Sequence, residues 1–494
     1  MKSRFRLTDT FFLFFGALGL LITSQLVLLF GNKEVATGLG LGTMGAAWGL
    51  IVRLENGNLL SFPVLFASFF LAYIGSPTLE ALLASPDYGG IQDIMGMIIQ
   101  AGDPPLEEIA LLGGVSLVAF AFGLWAWYAF FLKKTKGDQD VARGFLREAT
   151  SFYWLGIGVL LLGWILMLVD MVRIGGLQAL LTPRIERLHA LASAKGGLPA
   201  APLVFAGMAV AIVGWATGRQ RFVRGLLLGL LLVGWVTYLL IQGDRRFLLY
   251  TLLIASGILY VFRGAKLRLS WATLMVLFTL YVLASFFGAT RWLLVPLLQG
   301  SLSFVQALQW VFQNISWSWF MPYSTEFMGP YATLVYTLRD PAWWSASHAP
   351  LGGFSYLFSL PNLLPRSLYP GEKWQTLSFQ FSEYIYTNYL ALYFEAPVGF
   401  GLSPLAEAVL NFGKGFWAPL PFFLILGWVG GYIGSLTRKR PLPWGIVYAL
   451  LLPQAFNLNR TDLAWSFQEA VYYAITGLLL FAIVKFFLRS RRLH

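Results

Sequence analysis

The chain has 494 residues, of which 57% are hydrophobic and only 12% are charged, whereas an average soluble domain has about 25% charged residues. This composition excludes a soluble globular protein, and the complete lack of cysteine excludes disulfides, thiolate nucleophiles and cysteine-based metal sites. The formal net charge of +12 then concerns the orientation of the chain in a membrane, and nucleic acid is not expected as a partner.

Twelve apolar windows predict an all-α polytopic membrane protein with about twelve transmembrane helices, since each approaches the roughly 20 residues that cross a bilayer. The windows cover residues 10–30, 37–52, 59–74, 108–132, 150–170, 200–217, 226–242, 248–262, 270–288, 416–436, 444–457 and 467–487. The first window is longer than the core of a signal peptide and is not followed by a small-residue cleavage site, so we expect a retained membrane anchor.

The distribution of Lys and Arg predicts the orientation, because positive charge is retained on the cytoplasmic side of a membrane. Most basic residues fall in alternate connections: the loop at residues 133–147 has five of them, and residues 485–492 have four. Both termini are therefore predicted to be cytoplasmic.

This topology divides the chain into three parts. Residues 1–288 contain helices one to nine with arginine-bearing outer loops, residues 289–415 form one long outer segment, and residues 416–494 contain helices ten to twelve. Structureless loops of such length are uncommon, so we expect the outer segment to be partly helical and partly embedded in the membrane. Residues 292–311 could themselves form a re-entrant or additional helix.

One glycine motif imitates a soluble enzyme. Gly40, Gly42 and Gly45 fit the dinucleotide-binding pattern, but they lie inside an apolar window with no preceding strand. We interpret them as small residues that allow close helix packing.

Arginines on the predicted outer side are the main functional signal, because they run against the positive-inside tendency. Interfacial snorkelling explains any single one of them, whereas their clustering favours an anionic ligand, since guanidinium groups bind phosphate in a planar, bidentate manner. A lipid-linked pyrophosphate would suit them all. The candidate ligands are Arg245, Arg246, Arg184, Arg187, Arg291 and Arg460.

The outer segment also supplies candidate general bases. They are Glu383, Glu395, Glu407 and His348. Spacing alone does not distinguish among the carboxylates, and His348 could equally be an interfacial, hydrogen-bonded histidine. The three histidines of the chain are too dispersed for a metal site, so we expect neither a metal nor another cofactor. Seven tryptophans between residues 292 and 374 either line the membrane interface or stack on sugar rings.

Several short motifs, in this order, resemble the Wzy-type O-antigen and oligosaccharide repeat-unit polymerases. They are GGL at residues 175–177, GDRR at 243–246, LP at 364–365, GEK at 371–373, GFGLSPLAE at 399–407, NFG at 411–413 and RTD at 460–462. The resemblance covers about residues 170–470.

The resemblance implies a membrane glycosyltransferase of the GT-C type in the bacterial cytoplasmic (inner) membrane, with its active site facing the periplasm. Its substrates would be polyprenyl-pyrophosphate-linked oligosaccharides, and a chain-length regulator would be a possible partner protein. The growing glycan would leave its lipid pyrophosphate and join a sugar hydroxyl on the incoming repeat unit.

Two alternatives stay open. An O-antigen ligase would use the same donor but transfer the glycan to lipid A core, and its expected His-Asn motif is replaced here by His348-Ala349. A lipid-linked glycan transporter or flippase would more often have two related halves, whereas the long outer segment has no counterpart in the first half of this chain.

Overall fold

A computed structural model describes most of the chain as helix. The described residues are 7–83, 105–131, 149–176, 200–218, 221–242, 245–268, 270–290, 293, 296–297, 299–320, 327–339, 350–364, 375–390, 400–439 and 442–490. Within these ranges the regular structure is helical and no strand occurs. The predicted all-α class is therefore confirmed.

The N-terminal part forms five α-helices. They are α1 (Leu7–Leu29), α2 (Lys33–Leu54), α3 (Phe62–Phe70), α4 (Ser76–Leu83) and α5 (Leu106–Phe130). A π-helical turn, Leu71–Gly75, joins α3 directly to α4. The following part forms α6 (Ala149–Arg173), α7 (Ala200–Thr217), α8 (Arg221–Gln242), α9 (Arg245–Arg263) and α10 (Trp271–Thr290).

The long segment at residues 289–415 contains only short helices among its described residues. The α-helices among them are α11 (Phe304–Asn314), α12 (Met328–Arg339), α13 (Phe354–Phe358), α14 (Leu377–Ile385) and α15 (Pro404–Phe412). Three helices follow: α16 (Leu420–Lys439), α17 (Trp444–Asn457) and α18 (Leu463–Ser490). Helix α11 overlaps the predicted additional helix at residues 292–311, but it has 11 residues, which is too short to cross a bilayer on its own.

All twelve apolar windows coincide with helices. Of the helices in the described ranges, eight are long and apolar enough to cross a membrane. They are Lys33–Leu54, Phe62–Leu83, Leu106–Phe130, Ala149–Arg173, Ala200–Thr217, Phe222–Leu240, Arg246–Arg263 and Leu463–Phe486. The chain is thus a multi-pass membrane protein by helix length and composition, while twelve crossings and the orientation stay predictions.

Helices α5 and α7 form the interior of the bundle. Within their most apolar stretches, 83% of the residues of α5 and 72% of those of α7 are buried. The corresponding share is 22% for both α8 and α18, so these helices present most of their surface to the surroundings. In a bilayer that surface contacts lipid, because apolar side chains on the outside of a membrane bundle lose nothing by facing acyl chains.

Glycines set the distance between α6 and α7. A Cβ atom built on Gly156 would lie 2.3 Å from the backbone nitrogen of Ala211, and one on Gly207 would lie 2.5 Å from that of Leu160. Such distances are possible only without side chains, so the two backbones are in direct contact. Van der Waals contact of this kind is the main source of helix association in membranes.

The Gly40-x-Gly42-x-x-Gly45 motif packs through one of its three glycines. A Cβ on Gly40 would lie 2.8 Å from the carbonyl carbon of Ala110 in α5, whereas Cβ atoms on Gly42 and Gly45 would meet no atom of the described residues within 4 Å. The motif lies within α2. The helix-packing interpretation is therefore correct for Gly40 and wrong for the other two glycines.

A matched pair of glycines in α6 tests the close contact with α7. We expect Gly156→Ala to lower the free energy of unfolding by about 1 to 3 kcal/mol, as overpacking does elsewhere, because the new Cβ would overlap the backbone of Ala211. A Cβ on Gly158 would meet no atom within 4 Å in the described part of the chain, so Gly158→Ala should be neutral or stabilise the helix by up to about 1 kcal/mol. Thermal unfolding in detergent measures both, and equal effects would contradict the packing.

Candidate functional site

The turn between α17 and α18 organises the most polar part of the described structure. Asp462 directly precedes α18, and its Oδ1 accepts a hydrogen bond from the backbone N–H of Trp465 at 3.0 Å. This is the geometry of a helix N-cap, which satisfies one of the N–H groups left over at a helix start. Asp462 is 1% exposed, so this N-cap is buried inside the protein.

The GFGLSPLAE motif lies against this turn through its backbone. The N–H of Leu402 donates to the carbonyl oxygen of Arg460 at 2.9 Å. Gly401 has φ +79°, and a Cβ at this position would lie 2.4 Å from the same oxygen. Both the left-handed conformation and the close approach require glycine here. Thr333 of α12 fixes the other side of the loop by donating to the carbonyl oxygen of Gly401 at 2.8 Å.

Ser403 and Pro404 start α15 in the orientation that turns Glu407 inward. The Ser403 hydroxyl oxygen accepts the N–H of Ala406 at 3.0 Å, and Pro404 occupies the first helical turn, where its missing N–H is not needed. Glu407 is consequently 2% exposed. The sequence of the motif thus positions one buried carboxyl group.

Glu407 joins three elements that are distant in the sequence. Its Oε1 accepts the hydroxyl of Ser355 in α13 at 2.8 Å, and its Oε2 accepts the backbone N–H of Leu463, the first residue of α18, at 2.8 Å. Asn411, one turn further along α15, donates from Nδ2 to the Ser355 hydroxyl at 2.7 Å. Helices α13, α15 and α18 are therefore held together by a single polar network.

Asp462 connects the same network to α14. Its Oδ2 accepts both the backbone N–H of Ser378, at 3.0 Å, and the Ser378 hydroxyl, at 2.7 Å. One turn later, the Ser382 hydroxyl accepts the N–H of Phe400 at 3.2 Å. The described parts of residues 350–412 are thus bound to the start of α18 by side chains from two acidic residues.

The electrostatics of the network are unusual at Glu407. Burial, together with the nearby charge of Asp462, raises the pKa of Glu407 to about 8, against an ordinary value of 4.5. The hydrogen bonds from Leu463 and Ser355 oppose this rise only in part. Glu407 is consequently protonated at neutral pH.

A second polar cluster lies two turns further along α18. Glu469 is seven residues after Asp462, which at 3.6 residues per turn is about two turns and puts both on one face of the helix. The Oε1 atom of Glu469 lies 3.4 Å from Nη1 of Arg246, the second residue of α9. Both side chains are largely buried, with 17% of Arg246 and 15% of Glu469 exposed.

The guanidinium of Arg246 also contacts aromatic rings. It lies 4.7 Å from the ring centre of Phe247 and 5.8 Å from that of Tyr250, distances at which a cation is attracted to a ring. Arg460 lies in the α17–α18 turn, and its guanidinium is 5.8 Å from the ring centre of Phe456. Asn457, three residues before Arg460, donates from Nδ2 to the Glu469 carboxylate. Arg460 therefore lies in the α17–α18 turn itself, and Arg246 is connected to the beginning of that turn through Glu469 and Asn457.

The predicted site residues are distributed unequally over the structure. Arg246 and Arg460 lie near the start of α18, Arg245 is the first residue of α9, and Glu407 is buried in α15. Glu383 lies on α14 with its side chain exposed. Five candidates lie outside the described residues: Arg184, Arg187, Arg291, His348 and Glu395.

Several residues of the two clusters were not predicted as site residues. Asp462 and Asn411 lie within motifs already singled out, but Ser355, Ser378 and Glu469 carried no prediction. Glu469 could have been predicted from the sequence, because an acidic residue inside an apolar window is by default a functional candidate. Nothing in the sequence indicated the two serines, since their acidic partners are 52 and 84 positions away in the sequence.

Within the described ranges, no group of three or more His, Asp or Glu side chains is arranged to hold a metal ion.

Comparison of the chain with protein-family models, with curated proteins and with solved structures finds no match in any of the three.

The raised pKa of Glu407 predicts how stability depends on pH. The folded protein holds this proton up to about pH 8, while the unfolded chain loses it near its ordinary value, so between those values the folded state binds more protons and stability falls as pH rises. We expect this group to contribute a slope of at most about 1.4 kcal/mol per pH unit. Melting temperatures between pH 5 and pH 8 measure it.

Glu407→Gln should flatten that profile, since the amide keeps an oxygen acceptor and does not titrate. Glu383→Gln, an exposed position on α14, is the matched control and should retain the wild-type slope. A wild-type slope in Glu407→Gln would show that another group is responsible.

Proposed function

We propose that this protein is an oligosaccharide repeat-unit polymerase of the bacterial inner membrane. It joins polyprenyl-pyrophosphate-linked oligosaccharides into O-antigen or a related surface polysaccharide, at the periplasmic end of a GT-C-like helical bundle whose termini are cytoplasmic. No metal or other cofactor enters the proposal. A chain-length regulator is proposed as a further partner on the strength of the family resemblance.

The observation that carries the proposal is the meeting of three distant motifs at the first two turns of α18. The GDRR motif contributes Arg246, which pairs with Glu469. The GFGLSPLAE motif contributes Glu407, which accepts the N–H of Leu463, and the RTD motif forms the turn that precedes α18. These are the motifs on which the family resemblance rests, and chance matches to short patterns would not be expected to converge on one helix end.

The chemistry required of such an enzyme is a displacement at an anomeric carbon. A sugar hydroxyl of the incoming repeat unit attacks the first sugar of the growing chain, and a new carbon–oxygen bond forms. The bond between that carbon and the pyrophosphate oxygen breaks, and its electron pair leaves with the polyprenyl pyrophosphate. The hydroxyl proton passes to a base. Fixed positive charge near the leaving group lowers the barrier, because negative charge develops there.

Arg246 and Arg460 are the described residues that we assign to the pyrophosphate, together with Arg245 at the same helix start. The N-terminal end of α9 adds partial positive charge to that position. Arg184, Arg187 and Arg291 complete the proposed set as in the sequence prediction.

Among the proposed bases, Glu383, Glu395 and His348 are the candidates for contact with the sugar hydroxyl. Glu383 is exposed, so its carboxylate is accessible to a substrate. Glu407 differs, because it is 2% exposed and its carboxyl accepts two hydrogen bonds from the protein. Its part in the proposal is to hold α13 and α15 against the start of α18, so that the other groups are positioned.

The decisive experiment supplies the purified protein in proteoliposomes with a defined lipid-pyrophosphate oligosaccharide and no lipid A core. A polymerase gives a ladder of products that differ by one repeat unit, with the same yield in the presence of EDTA. A ligase gives no product until lipid A core is added. A transporter or flippase moves the lipid-linked glycan between leaflets without forming a glycosidic bond. Either of the last two results would overturn the proposal.

Two arginines at opposite ends of α9 give a matched test of the site. We expect Arg246→Ala to lower the initial rate of polymerisation about a hundredfold or more, comparable to the loss of one essential charge-stabilising donor. Arg263, in the last turn of the same helix, lies 4.6 Å from the ring centre of Trp215, and Arg263→Ala should keep most of the activity. Product ladders at matched protein amounts measure both, and a full rate for Arg246→Ala would remove this residue from the site.

A further inference from the structure

Glu469 is an ionisable residue inside a candidate membrane span. It is the seventh residue of α18 and lies within the span Leu463–Phe486. At 1.5 Å per residue, this is about 9 Å from the helix start. A charged side chain at such depth costs free energy unless it is paired and hydrogen-bonded, and its presence therefore favours a functional role.

Four donors converge on the Glu469 carboxylate from three elements. Its Oε2 accepts the hydroxyl of Tyr250 in α9, at 3.0 Å, and Nδ2 of Asn457 at the end of α17. Its Oε1 accepts the indole N–H of Trp465, at 3.1 Å, and Nη1 of Arg246, at 3.4 Å. Hydrogen bonds to a charged group are stronger than those between neutral groups, so the carboxylate is firmly held.

The donors divide into two kinds. Tyr250, Asn457 and Trp465 are neutral, and the three of them together hold the carboxylate without the help of Arg246. Arg246 is the cation among these four donors, and its contact is the longest of the four. The carboxylate therefore stays in place if the guanidinium shifts, while the orientation of the guanidinium depends on the carboxylate.

The surroundings of Arg246 restrict how its guanidinium can turn. Phe247 lies against it at 4.7 Å from the ring centre, and Glu469 accepts from one of its edges. A guanidinium has five N–H groups in a fixed planar fork, so an acceptor at one edge sets the direction of the others. The planar fork matches phosphate oxygens only when it is correctly turned.

Resting on the proposed function, we infer that Glu469 is a positioning residue that aligns the Arg246 guanidinium for the pyrophosphate of the lipid-linked donor. Glu469 itself does not contact the substrate. It neutralises Arg246 inside the span before the donor arrives, and the guanidinium then bridges the carboxylate and the pyrophosphate. The three neutral donors keep Glu469 in place throughout.

A double-mutant cycle tests whether Glu469 acts through Arg246. The variants are Glu469→Gln, Arg246→Ala and the combination, and the readouts are KM for the lipid-linked donor and the inhibition constant of inorganic pyrophosphate. We expect Glu469→Gln to raise both constants about tenfold. The combined variant should match Arg246→Ala alone, because a residue that works only by orienting Arg246 has no effect once Arg246 is absent. If the effects of the two single substitutions instead multiply in the combined variant, the inference is overturned.

Two further variants separate positioning from folding. Glu107→Gln changes a glutamate of α5 that pairs with Lys33 of α2 at 3.1 Å, on helices that supply none of the four donors to Glu469, and it should leave both constants at their wild-type values. Tyr250→Phe removes one neutral donor to the carboxylate and keeps the aromatic ring that lies 5.8 Å from the Arg246 guanidinium, and we expect a rise of about threefold in both constants. If Glu469→Gln does not fold, Tyr250→Phe still decides the question, and unchanged constants in it overturn the inference.

The outcomes distinguish this inference from the proposed function. If the wild-type protein forms no polymer, the proposed function fails and the role of Glu469 fails with it. If the wild type polymerises and Arg246→Ala does not, but Glu469→Gln has normal constants, only the inference fails.

Discussion

The polar contacts around α18 depend on one constraint, which is that the backbone N–H groups at the start of this helix need hydrogen-bond acceptors from outside the helix. Every helix start leaves backbone donors without partners, and near a membrane they cannot all be left to water. Here Asp462 accepts one of them from the adjacent position, while Glu407 accepts that of Leu463 from a helix 56 residues earlier in the chain. A requirement of local helix geometry thus fixes a distant segment, and through Ser355 and Ser378 it also fixes α13 and α14.

Two clusters on one face of α18 solve different physical problems. Around Asp462 and Glu407, hydrogen bonds from backbone and hydroxyl groups join short helices, which are only marginally stable as isolated segments. Around Glu469, an arginine and a carboxylate neutralise each other within a span. The first cluster gives the described parts of residues 350–412 a fixed position relative to the bundle. The second keeps a cation at the start of α9, where an unpaired one would be costly.

The sequence predicted the helices well because apolar windows report directly on the lipid environment, and α1, α6 and α16 begin and end close to their windows. It predicted less of the site. Arg246 and Arg460 stood out because they oppose the charge bias of the chain, whereas Ser355 and Ser378 acquire their roles only through partners that folding brings near. The glycines illustrate the same limit: Gly40 and Gly42 are equivalent as a motif, but only Gly40 faces the backbone of α5. Which side of a helix has a neighbour is a tertiary property that periodicity does not contain.

The protonated carboxyl of Glu407 has a consequence for the field at this end of the bundle. Asp462 and Glu469 bring negative charge to the start of α18, and an ionised Glu407 would add a third such charge. Because its pKa is raised to about 8, Glu407 retains the hydrogen-bond acceptors that hold the helices together but is mostly uncharged at neutral pH. The protein thereby uses an acidic side chain as an uncharged link between helices. The positive charge of the nearby arginines is consequently neutralised less than the number of acidic residues in the site suggests.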